Sequence, residues 1–117
     1  MEERLDGTHA VLFESAGEDE ALRIECAITR EGGLVILQES DGPLTRWCFE
    51  ESPHHIEVDV PPDQAKGLLA YFHLEDVAQL PPVLRLAYLG YDSGLRIRGL
   101  MRRLGVSYRV IENPIER

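Results

Sequence analysis

The segment from Leu37 to Pro62 holds most of the side chains in this sequence that could do chemistry. It contains six carboxylates, two adjacent histidines and a Trp-Cys step. Two interpretations compete: a catalytic or metal-binding site, or a surface that meets another protein. The chain has no GxGxxG, P-loop, GxSxG or HExxH motif, so no known catalytic or nucleotide-binding pattern favours the first interpretation.

The histidine pair raises the question of a metal site. Residues two apart on a strand share a face, so His55 and Glu57 could ligate one ion together. A third ligand is missing from the pattern, because His9 and His73 stand alone in the sequence. We therefore predict histidines on a polar strand face, with no metal and no cofactor.

The two cysteines, Cys26 and Cys48, raise the question of a nucleophile. A catalytic thiolate needs a helix N-terminus or cationic neighbours. Cys26 instead alternates with isoleucines, and Cys48 lies between Trp47 and Phe49. Both are predicted to be small buried core residues, and both to be reduced, because the acidic N-terminus has no signal-peptide pattern.

The carboxylates could include a general acid/base pair, which requires two carboxyl groups in a cleft and one raised pKa. Their positions in the sequence predict outer strand faces and turns, where solvent keeps them ionised. We therefore predict no enzymatic activity. The six residues are Glu39, Asp41, Glu50, Glu51, Glu57 and Asp59.

Charge is distributed unevenly along the chain. The 117 residues, of which 44% are hydrophobic and 28% charged, are typical of one globular domain spanning 1–117. Residues 1–63 carry 16 acidic and 4 basic side chains, a net of −12; residues 64–117 carry 5 and 8, a net of +3. The acidic half repels nucleic acid and attracts a basic protein, although acidity also serves plain solubility.

A soluble, cytoplasmic protein is expected from the remaining composition. The sequence contains no apolar run near the length of about 18 residues that would span a membrane. No nucleic-acid or membrane partner is therefore predicted.

Strands are predicted over most of the first sixty residues. The alternation in 21–29 is typical of a half-buried strand, with Ile24, Cys26 and Ile28 on its inner face. The glycine-containing turn at 30–33 predicts a hairpin with 34–39. Further strands are predicted at 9–15, 45–50 and 54–60, the last with alternate residues facing the core.

Helices are predicted from Pro61 onward, where the hydrophobic period changes. The first covers 61–72, and the second follows the prolines at 81 and 82. A third is capped by Asp92 or Ser93 and ends at Gly105, and a closing strand covers 106–111. Its apolar stripe is Ile97, Leu100, Met101 and Leu104. The predicted class is α+β: a mostly antiparallel β-meander of about five strands, two or three helices on one face, and a C-terminal strand.

The third helix carries the arginines of this sequence that cluster together. We interpret them as a solvated helix face; a partner contact and pairing with the acidic sheet remain alternatives. The four residues are Arg96, Arg98, Arg102 and Arg103.

The order of features between 22 and 111 resembles small bacterial immunity proteins encoded beside polymorphic toxins. The resemblance lies in "LQESDGP", the aromatic-acidic "RWCFEES", the strand "HHIEVDVPP" entering a Leu-rich helix, and the final "LGVSYRVIEN". It implies a non-catalytic inhibitor that binds the toxin domain of a secreted effector and covers its active site or blocks substrate access. This chain differs from the group in its Trp47-Cys48-Phe49 and His54-His55 steps.

The resulting hypothesis is a toxin-binding protein with an acidic contact surface. One alternative is a small-ligand-binding or enzymatic domain with a pocket between sheet and helices. Another is a subunit of a stable assembly, which predicts an exposed apolar patch. The predicted contact residues are Glu39, Asp41, Trp47, Glu50, Glu51, His55, Glu57 and Asp59.

Overall fold

The computed structural model describes residues 5–17, 20–49 and 54–114. Its elements are, in chain order, β1 (Leu5–Ala16), β2 (Ala21–Thr29), β3 (Leu34–Asp41), α1 (Pro43–Phe49), β4 (His54–Val60), α2 (Pro62–Phe72), a 3₁₀ turn (Val77–Gln79), α3 (Leu80–Tyr88), α4 (Ser93–Leu104) and β5 (Arg109–Pro114).

The five strands form one antiparallel sheet in the order β1-β2-β3-β4-β5, so each strand pairs with its neighbours along the chain. Helices α2, α3 and α4 lie in the connection between β4 and β5. The predicted α+β class with an antiparallel meander is confirmed. No helix in the described ranges is long and apolar enough to cross a membrane.

The core lies between one face of the sheet and helices α2 to α4. Strand alternation puts Ile24, Cys26 and Ile28 of β2 on this face, as predicted, opposite Ile36 and Leu34 of β3. The helices contribute Leu68, Leu84, Ile97, Leu100 and Met101, all buried. Burying these side chains supplies the main stabilisation of the fold, at roughly 1.5–3 kcal/mol for each large one.

Helix boundaries follow local chemistry. Helix α2 starts at Pro62, where the missing N–H costs nothing. Helix α4 ends at Gly105, whose φ of 73° is left-handed, and the Val106 N–H donates to the Met101 carbonyl. This bond closes a Schellman motif, in which glycine avoids the steric cost of a Cβ.

The predicted strand at 45–50 is wrong, because this segment forms α1. Pro43 suits a first helical turn, and the Arg46 N–H donates to the Gly42 carbonyl. The backbone N–H and hydroxyl of buried Thr45 both donate to the Glu20 carboxylate, at 3.1 and 2.5 Å. That contact joins residues far apart in sequence, so it outweighs the strand preference of Thr, Trp, Cys and Phe without leaving a local signal.

Four smaller predictions are also corrected. Cys48 is exposed on α1 rather than buried. Neither Asp92 nor Ser93 caps α4 through its side chain; the Asp92 carboxylate instead lies 3.5 Å from the Arg96 guanidinium. Leu104 is exposed because it lies on the last turn of α4, and β5 begins at Arg109 rather than at 106.

Candidate functional site: the acidic face of the sheet

The second face of the sheet carries a concentration of carboxylates. Helices α2 to α4 pack against the first face rather than against this one. We call it the acidic face and define it by the carboxylates of β1 to β4 that point to this side. They are Glu14, Glu25, Glu39, Asp41, Glu57 and Asp59.

The register of β3 and β4 aligns the predicted contact residues. Glu39 lies opposite His55, Leu37 opposite Glu57 and Val35 opposite Asp59. Because directly opposed residues lie about 5 Å apart at their Cβ atoms, these side chains form one continuous surface. Predicted residues Glu39, His55, Glu57 and Asp59 thus come together, and Asp41 lies at the end of β3 on the same face.

The charges on this face are linked by ion pairs. His55 lies between two carboxylates, with Nδ1 3.8 Å from Glu39 and Nε2 3.9 Å from Glu57. Arg23 donates to Glu14 at 2.7 Å and to Glu25 at 3.4 Å, and its hydrogen bond to Glu14 is the main cause that raises the pKa of its guanidinium.

The sum of charge on the face stays negative. Among the described residues, the six carboxylates of the face outnumber its two arginines, Arg23 and Arg109, by four, and Arg109 pairs with Asp59 at 3.2 Å. The face therefore attracts a cationic surface even with these pairs formed.

The centre of the acidic face is apolar. Leu37 of β3 lies opposite Glu25 of β2 on one side and Glu57 of β4 on the other. Glu57 in turn lies opposite Ile111 of β5. Leu37 and Ile111 are partly exposed, whereas Ala27 and Val35 on the same side are already buried and offer no contact area. Since an apolar centre flanked by charged groups is typical of protein interfaces, the arrangement fits a docking surface.

Exposure differs among the carboxylates. The Glu39 side chain is 57% exposed, whereas Glu57 and Asp59 are 13% and 17% exposed. Glu39 is thus available for a first, long-range encounter. The two others are held among neighbours on a rigid strand, which lowers the entropy lost on binding.

The remaining predicted contact residues lie elsewhere. Trp47 is exposed on α1, beyond the end of β3, so the structure does not place it among the opposed side chains of the face. Glu50 and Glu51 lie outside the described residues. Four further residues of the face were not predicted as contact residues, although the alternation of 21–29 already puts Arg23 and Glu25 on one face: Glu14, Arg23, Glu25 and Arg109.

The arginines of α4 make local contacts. The Arg96 guanidinium lies 5.2 Å from the centre of the Tyr88 ring, and Arg102 donates to the Tyr108 hydroxyl at 2.9 Å. Helix α4 packs on the first face of the sheet, away from the carboxylates. The alternative that these arginines neutralise the acidic face is therefore not supported for Arg96 and Arg102.

The groups that could do covalent or metal chemistry are separated. Burial raises the pKa of the Cys26 thiol to about 12, so it is protonated at neutral pH and a poor nucleophile. Among the described residues, no three His, Cys, Asp or Glu side chains converge to hold a metal ion.

A cavity of about 690 Å³ opens at the end of the sheet that contains the β2–β3 turn. It lies beside the acidic face, through Val35 and Asp59, rather than between sheet and helices, where the alternative hypothesis predicted a pocket. Gly33 keeps this end compact, because a Cβ there would lie 2.7 Å from the Val60 carbonyl oxygen. The other lining groups come from the turn, from Pro61–Pro62 and from 107–109.

A comparison of the chain with protein-family models, with curated proteins and with solved structures found no match.

Proposed function

We propose that this chain is an immunity protein that binds a cognate bacterial toxin domain through the acidic face and blocks its action. The register that brings Glu39, His55, Glu57 and Asp59 together on one sheet face carries this proposal. The order of sequence features between 22 and 111 supports it independently, since it resembles that of immunity proteins.

Electrostatics favours a basic partner. A toxin that acts on nucleic acid needs cationic groups around its active site, because its substrate is a polyanion. The acidic face presents four net negative charges on strands and can occupy those groups in place of the substrate. Binding there denies the substrate its site without any catalysis by the immunity protein.

The exposed carboxylates and the apolar centre of the acidic face have separate roles in this mechanism. Exposed carboxylates such as Glu39 raise the rate of association with the toxin domain, and this gain in rate shrinks as salt screens the charges. The apolar centre around Leu37 loses water in the complex and slows dissociation.

The test uses the toxin domain encoded in the adjacent reading frame and follows association by stopped-flow fluorescence. We expect Glu39→Lys to slow association by about threefold to tenfold at low salt, with the difference shrinking at high salt. Glu75→Lys is the matched control, because Glu75 is an exposed acid outside the sheet.

The control separates a local effect from one of net charge, since both variants change the charge equally. Equal slowing by both would show that only total charge matters. Unchanged association in Glu39→Lys would remove the acidic face from the contact.

A further inference from the structure

The corner between α3 and α4 exposes large apolar side chains. Leu86 is 87% exposed and Tyr91 72% exposed, and Leu89 and Leu95 are also exposed. These four define what we call the α3–α4 corner. Scattered single apolar residues are normal on a protein surface, but here four exposed large ones lie within ten positions of the chain, and grouped exposed apolar residues mark interaction sites.

Three contacts hold the corner in place. Arg96 of α4 stacks on the Tyr88 ring of α3 at 5.2 Å and lies 3.5 Å from the Asp92 carboxylate. The Gly90 N–H donates to the Leu12 carbonyl of β1 at 3.1 Å. The apolar side chains are therefore displayed by a fixed turn, which reduces the entropy lost when a partner covers them.

Local charge distinguishes the corner from the rest of the molecule. The charged residues of the chain between 85 and 96 are Arg85, Asp92 and Arg96, which sum to +1, whereas the whole chain carries −9. Two copies of so acidic a protein repel each other over most orientations. The corner is a surface through which they can approach without bringing acidic groups together.

The location of the corner leaves the acidic face available. Helices α3 and α4 pack on the opposite side of the sheet from the carboxylates, so the corner does not belong to the acidic face. The corner is therefore a surface separate from the one in the proposed function, and its apolar side chains suit a second occupant.

We propose that this occupant is a second copy of the chain, which packs its α3–α4 corner against the first in a two-fold symmetric dimer. In such a contact each patch covers its own equivalent, and Asp92 of one copy can meet Arg85 of the other. Eight residues between 82 and 96 are exposed, fewer than in a standard interface, so the dimer is a weak, reversible one. Each dimer presents two acidic faces, directed outward.

Sedimentation equilibrium of the full chain over a range of concentrations tests the dimer. The wild-type chain is expected to dimerise reversibly, with a dissociation constant of about 1–100 µM. Leu86→Asp should be monomeric over the same range with an unchanged melting temperature, because Leu86 lies outside the core. Tyr71→Asp, at an exposed aromatic residue of α2, is the matched control and should still dimerise.

Salt supplies a second measurement, because the corner is nearly neutral while the whole molecule is acidic. Added NaCl should strengthen the dimer by screening the overall repulsion. A contact that depended on opposite charges would weaken instead, and that result would overturn the corner as the interface.

Two further results would also overturn the proposal. One is a monomeric wild-type chain at every concentration; flotation with phosphatidylcholine–phosphatidylglycerol vesicles would then show whether the corner binds an anionic lipid surface. The other is a dimer that persists in Leu86→Asp, which would place the interface elsewhere.

Discussion

At the scale of single residues, the two cysteines occupy opposite environments. Cys26 is buried in the core and its thiol has a pKa of about 12, whereas Cys48 is exposed on α1. Thiol reagents attack the thiolate, so both burial and the raised pKa protect Cys26.

We expect Ellman's reagent at pH 8 to modify one thiol rapidly and the second only as fast as the protein unfolds. Removing the exposed thiol with Cys48→Ser should abolish the fast phase and keep the slow one. Two fast phases in the wild-type protein would mean that the core around Cys26 opens readily.

The residues of the acidic face were predictable only within a single strand, where successive side chains alternate between the two faces. Alternation along β4 puts His55 and Glu57 on one face, and the structure agrees. Which residues of β1 and β5 share this face depends on the strand register, and the register of β1 shifts between Val11 and Phe13. Register across strands so far apart in sequence leaves no local pattern, which is why Glu14 and Arg109 were missed.

At the scale of elements, helices α2 and α4 were predicted from their boundary residues and α1 was not, although α1 also starts at a proline, Pro43. Proline at 62 and glycine at 105 mark helix ends through backbone chemistry that holds in any context. Helix α1 depends on the bonds between Thr45 and Glu20, which form only after the chain folds. The exposed α3–α4 corner was likewise hidden, since a run of apolar residues in a sequence predicts burial.

The C-terminal end of α4 offers a test of the local argument. We expect Gly105→Ala to lower the free energy of unfolding by about 1 kcal/mol, because φ of 73° places the new Cβ against the backbone. Gly99→Ala, inside the same helix and with no neighbour nearer than 4.0 Å, should raise it by up to about 1 kcal/mol.

Urea denaturation of both variants gives the two values under the same conditions. We expect the two changes in the free energy of unfolding to have opposite signs. A loss of stability in both variants would mean that the helix accepts a methyl group at neither position. The left-handed conformation of Gly105 would then not be the cause of the loss.

At the scale of the whole molecule, the main feature is the uneven distribution of charge. The chain carries −9 in total and −12 in its first 63 residues, and the described residues of the acidic face contribute four net negative charges, so like charges repel within the folded protein. The exposed ion pairs that offset this repulsion, such as Arg23 with Glu14, each contribute about 0–1 kcal/mol.

We therefore expect the melting temperature to rise when NaCl is added at neutral pH, because screening relieves more repulsion than it weakens attraction. Differential scanning calorimetry over a salt series measures this. A melting temperature that falls with NaCl would show that the ion pairs of the acidic face outweigh the repulsion.

The strand order has a mechanical consequence. Strands β1 and β5 are the two edges of the sheet, and in a five-stranded antiparallel meander Leu5 and Pro114 lie at diagonally opposite corners. Although the first and last strands share no hydrogen bonds, a pulling force applied through these two corners acts mostly along the strands, because the strands are longer than the sheet is wide. The force therefore loads the backbone bonds of the β1–β2 ladder together, in shear, rather than a few at a time. Such a domain should resist extension, which would slow its passage through an unfolding protease.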